Sequence, residues 1–104
     1  MYLCELIEAL ENAPQDLVVP IGFAEPHSYR GYYEDLEFTP AMNVTVASML
    51  AHARSALGAT FYGYKGGDYK MHEYSRCWIG EAGLVEDQSI SPLLLNFMLG
   101  NPAL

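Results

Sequence analysis

A pair of glycines, Gly66-Gly67, separates two β-prone runs, Ala59 to Lys65 and Tyr69 to Ile79. Glycine tolerates the left-handed conformations that a tight reversal needs, so the stretch predicts a β-hairpin. A lone hairpin is marginal in water and needs a layer to pack against. The flanking sequence offers helices for that layer. Leu3, Leu6, Ile7 and Leu10 recur at helical spacing with Glu5, Glu8 and Glu11 between them, and the segment closes before Pro14. Val46, Met49, Leu50, Ala53 and Leu57 form a second apolar stripe, with Asn43 or Thr45 as cap and Gly58 as stop. Ser91-Pro92, a cap followed by a first-turn proline, opens a third helix through Leu93 to Leu99.

Between the first two helices, Leu17 to Ile21 is a short β-rich run. Pro20 cannot donate to a ladder, which predicts an edge strand or a strand end. Leu36 and Phe38 suggest another short strand, ending before Thr39-Pro40. Gly83 to Ser89 reads as a polar loop. The order of helix, strands, helix, hairpin and helix predicts one α+β domain over residues 1–104, with a short antiparallel sheet and about three helices. The last helix is apolar on nearly every side. Such a helix is either wrapped by its own domain or shared with another copy, so a homodimer through it is an expectation.

Thirteen acids against five bases give a formal charge of −8. That balance argues against direct nucleic-acid binding, which depends on neutralising phosphates. No apolar run reaches the length needed to span a bilayer. The first residues lack the basic region of a secretory signal, and the expected location is the cytoplasm. Cys4 and Cys77 are too few and too distant for a disulfide scaffold and read as reduced thiols.

The scarce bases are not scattered. Four of the five lie in two tyrosine-dense segments, Pro26 to Tyr33 and Tyr62 to Arg76, with seven of the eight tyrosines and two of the three histidines. Flat rings grouped with cations and flexible glycines suit a planar anionic ligand of nucleotide-like character, with cations meeting phosphate and rings stacking a base. The candidate ligand-binding residues are His27, Tyr29, Arg30 and Tyr32 in the first segment. In the second they are Tyr62, Tyr64, Lys65, Gly66, Gly67, Tyr69, Lys70, His72, Tyr74 and Arg76. In an unbroken strand Lys70, His72, Tyr74 and Arg76 would share one face, and Gly66 and Gly67 would offer backbone N–H groups to an anion.

A plainer arrangement uses the same residues structurally. The tyrosines would pack half-exposed against Trp78, and Arg30 would pair with Glu34. Because tyrosine and arginine dominate protein interfaces, the cluster also suits a protein partner. His27, His72, Glu73 and Cys77 lack the spacing of a metal site, so neither a metal nor a cofactor is expected. There is no GxSxG elbow, and no catalytic residue is assigned. Turnover by His27 or His72 with Glu73 or Glu81 is the third alternative, ranked below binding.

Three stretches resemble a group of small, mostly uncharacterised proteins of tailed bacteriophages. They are Gly22 to Tyr33, including Pro26-His27-Ser28-Tyr29-Arg30-Gly31-Tyr32-Tyr33; Leu57 to Gly67, including Gly63-Tyr64-Lys65-Gly66-Gly67; and Met71-His72-Glu73-Tyr74. With the helix from Val44 to Leu57 they cover 40 of the 104 residues. The resemblance implies a phage accessory protein made in the bacterial host cytoplasm, and it transfers no catalytic residues. By analogy it implies a binding role, either sequestering a small signal such as a host defence nucleotide or blocking a host or defence enzyme.

Overall fold

The computed structural model describes residues 1–81 and 85–100. Helix α1 (Leu3–Glu11) buries Leu3, Leu6 and Leu10. Glu5 in its first turn accepts from the Tyr2 backbone N–H at 2.8 Å, which satisfies a donor the helix leaves orphaned. Strands β1 (Val18–Ser28) and β2 (Leu36–Thr45) follow as a long antiparallel ribbon running from Val18↔Thr45 to Ser28↔Leu36. Helix α2 (Val46–Ala56) is capped by Thr45, whose hydroxyl accepts from the Ser48 N–H at 3.1 Å. Strands β3 (Thr60–Tyr62) and β4 (Asp68–Lys70) form a separate two-stranded hairpin. Strands β5 (Cys77–Glu81) and β6 (Val85–Ser89) and helix α3 (Pro92–Met98) complete the chain.

The main sheet has the order β1-β2-β5-β6. Its outer pairs are antiparallel, but β5 joins β2 in parallel, pairing Leu36 with Cys77 and Phe38 with Ile79. The chain is thus the small α+β domain expected, with one parallel pair inside its sheet. Helices α1 and α2 pack on each other, and α2 lies against β1. Phe23 and Phe38 meet at 4.3 Å between ring centres in a core that also buries Leu36, Met49, Ala53, Met71, Cys77 and Ile90. Gly22 lets β1 approach α2 this closely. A Cβ there would lie 2.7 Å from Val44 and 3.0 Å from the Met49 sulfur. Among the described residues, no helix is long and apolar enough to cross a membrane.

Three expectations need correction. The strand at Leu36 and Phe38 does not end before Pro40, while Pro20 lies on an edge strand, one of the two alternatives expected for it. β1 is a sheet edge, where a missing N–H is harmless, and the pairing of β2 with β5 stops at Phe38, before Pro40. A register irregularity between Phe23 and Pro26 accommodates the next proline. The stretch from Val85 to Ser89 is a strand rather than loop, since β5 supplies its ladder; Gly83 and Leu84 lie outside the described residues. Finally, the strand expected from Tyr69 to Ile79 stops at Lys70.

That break has a local cause. The His72 N–H donates to the Ser75 hydroxyl at 2.9 Å, the Ser75 N–H donates to the His72 carbonyl at 3.0 Å, and the Tyr74 N–H donates to His72 Nδ1 at 3.1 Å. Side chains thus take over groups that a ladder would have used. Met71 meanwhile inserts fully into the core. The single face of Lys70, His72, Tyr74 and Arg76 therefore does not exist.

A candidate tyrosine–arginine surface

Parallel pairing of β2 with β5 fixes where the two tyrosine segments go. Residues 29–35 lead into β2 and residues 71–76 lead into β5, so both approaches converge on one end of the sheet. The Leu36 N–H donates to the Arg76 carbonyl at 2.8 Å at that junction.

The first approach is a tight loop. The Tyr29 N–H donates to the Asp35 carbonyl at 2.9 Å, and the Ser28 hydroxyl donates to the Tyr33 carbonyl at 2.6 Å. Tyr29 stacks on Trp78, 4.4 Å between centres and 22° between planes, while the Trp78 indole N–H donates to Asp35 at 3.0 Å. Tyr29 is thus a structural support, as the plainer arrangement had it. Tyr32 is exposed, and its hydroxyl donates to Glu34 at 2.9 Å. That bond favours the protonated phenol and raises the Tyr32 pKa, with the Glu34 charge adding to it.

The hairpin supplies the other half. Phe61 and Tyr69 are cross-strand partners turned to the core, while Tyr62 and Tyr64 stand more than half exposed. Gly66 and Gly67 both take positive φ, and the Gly66 N–H is consumed inside the turn by the Gly63 carbonyl at 2.9 Å. Gly66 therefore holds the reversal and does not present its N–H to an anion.

The two halves meet. The Arg30 guanidinium lies over the Tyr64 ring, 3.7 Å from its centre, instead of pairing with Glu34. Tyr33 meets Tyr69 edge-on at 5.4 Å. Beside this contact is a cleft of about 390 Å³ lined by Glu34, Asp68, Tyr69, Lys70 and His72. Around the other approach, Tyr74 packs edge-on against Tyr2 at 5.8 Å, and Arg76 bridges to Tyr2 in a smaller cleft that also holds Glu5.

The four segment bases do not converge. Arg30 is spread on Tyr64, and Arg76 is in the Tyr2 cleft. Lys65 sits in the hairpin turn, leaving Lys70 facing the larger cleft beside two carboxylates. That cleft is not an electropositive cradle.

Beneath the surface runs a row that sequence reasoning caught only through His27. His27 Nε2 is 2.8 Å from Glu37 Oε1, directly across the β1–β2 ladder, and Glu37 is fully buried. A Cβ on Gly80 would collide with the Asp87 carboxylate and come within 2.8 Å of Glu37 Oε2, so the glycine admits both acids to one spot. Burial holds the His27 pKa below its usual value, outweighing a backbone hydrogen bond to Glu25 and the charges of Asp87 and Glu81. Burial thus opposes charging of the ring in its contact with Glu37. The period-2 pattern of β2 could have placed Glu37 opposite His27; the approach of Asp87 depends on β6, which the sequence hid.

Among the described residues no cluster of three His, Cys, Asp or Glu side chains is arranged to hold a metal. Cys77 is buried, and its thiol pKa is pushed up to about 12, which makes it a poor nucleophile. No protein-family model matches this sequence, and no curated protein or solved structure matches it either.

Proposed function

We propose that this chain is a binding protein without turnover whose contact surface is the exposed ring-and-guanidinium platform of Tyr32, Arg30, Tyr62 and Tyr64. Its partner is a protein with a basic rim, such as a host or anti-phage defence enzyme in the bacterial cytoplasm. The observation that carries this reading is the Arg30–Tyr64 stack at 3.7 Å on an exposed face. Tyrosine and arginine held in a fixed arrangement are favoured interface anchors because little freedom is lost on binding. The surplus of eight negative charges supports steering toward a basic surface.

A nucleotide-like ligand has weaker support. Its phosphates would need several cations in one place, and the larger cleft combines Glu34 and Asp68 with Lys70.

Affinity capture from bacterial lysate, before and after phage infection, tests the reading. A stoichiometric protein retained by the wild type and lost with both Arg30→Ala and Tyr64→Ala supports it. A thermal-shift panel of mono-, di- and cyclic nucleotides provides the opposing arm, since saturating ligand at 100 times Kd stabilises by about 2.7 kcal/mol. A nucleotide shift abolished by Lys70→Ala, with no captured protein, overturns it.

A further inference from the structure

The β1–β2 ribbon carries a second, chemically different surface at the end remote from the tyrosine platform. Ile21 and Met42 are cross-strand partners there, 64% and 74% exposed. Phe97 of α3 is 74% exposed, and Leu93, one helical turn earlier, is 59% exposed. Phe97 stands between two hollows. One, about 320 Å³, lies among Pro20, Ile21, Phe97 and Met98; the other, about 360 Å³, lies along Leu93, Leu94 and Phe97.

We infer that this surface binds a second copy of the chain in a two-fold dimer, with Phe97 of each copy entering the hollow beside Ile21 of the other. Three properties select that occupant. The first is charge: the chain carries −8, yet among the described residues none lining either hollow is ionisable. Two such molecules juxtapose the fewest acids through an uncharged face, and among the described residues the hollows offer no base to hold an anionic lipid headgroup. The second is shape. A two-fold contact requires a surface complementary to itself, and this one holds both a projecting ring and hollows large enough to take it. The third is extent. The four exposed side chains leave on the order of 500 Å² of apolar surface, toward the upper end of the largest patch a monomer usually exposes. With its rim, such a patch approaches the roughly 800 Å² per partner of a standard interface.

Sedimentation velocity on the whole chain, across protein and salt concentration, decides the matter. The expected result is a monomer–dimer equilibrium that tightens as salt rises, because screening removes like-charge repulsion while apolar contact persists. Phe97→Asp and Met42→Asp sit on different elements at exposed positions, so neither disturbs the core. Each should weaken the dimer about a hundredfold. Tyr64→Ala, on the platform, should leave it unchanged. A chain that stays monomeric at every concentration overturns the inference, as does a dimer indifferent to both Asp variants. Flotation of the monomer with phosphatidylcholine vesicles, lost in Phe97→Asp, would assign the patch to a membrane instead and also overturn it.

Discussion

Arg30 lies over the ring of Tyr64, 3.7 Å from its centre, and this contact joins two residues that the sequence separates by two strands and a helix. Both side chains are exposed, which places the attraction at about 0.5–1 kcal/mol. A double-mutant cycle with Arg30→Ala and Tyr64→Ala, read by urea unfolding, should return a coupling of that size. Arg30→Lys should keep part of it, since the charge remains and the planar stack is lost. Strictly additive single effects would mean that the pair is not formed in solution.

Gly80 is the more crowded of the two described glycines in the main sheet. A methyl group there meets the Asp87 carboxylate and the Glu37 carboxylate together. Gly80→Ala should cost about 1–3 kcal/mol through forced displacement of these groups. Gly58→Ala is a useful comparison, because its Cβ would meet nothing and only its positive φ of 79° opposes substitution. Equal denaturation midpoints for Gly80→Ala and wild type would rule out the proposed crowding.

His27 gives stability a defined pH dependence. Its pKa is lower in the folded chain than its ordinary 6.5, so the unfolded chain binds the proton more readily. The contribution is complete above pH 6.5 and is lost as pH falls from there through the folded value. Unfolding free energy followed across that window should decline, and His27→Gln should show a shallower decline. A wild-type stability that rises on acidification from neutral pH would contradict the sign.

The helices were legible because their signals are local. The Thr45 and Ser91 hydroxyls accept from N–H groups three residues on, and the stripe Leu3, Leu6, Leu10 needs no distant partner to be recognised. The strands were less legible. Whether Pro20 and Pro40 terminate a strand depends on which edge lacks a neighbour, a fact set by β5 many residues later. The 71–76 break was readable in principle from Ser75, since a serine near a histidine invites side-chain bonding to backbone groups. At the candidate surface, residue type singled out two segments, and the structure brings Arg30 of one to Tyr64 of the other. It could not reveal that Tyr29 would be spent on Trp78 or that Lys70 would stand beside Glu34 and Asp68.

The parallel β2–β5 pair also sets a folding order. Adjacent strands β1 and β2 can zip through a short loop, whereas Leu36 waits for Cys77 until α2 and the hairpin have been made. Long-range closure of this kind carries the larger entropic barrier and comes late. A ribosome-bound chain halted before Cys77 already holds Arg30 and Tyr64 but lacks the Trp78 ring on which Tyr29 stacks, so the loop that carries Arg30 is without one of its supports.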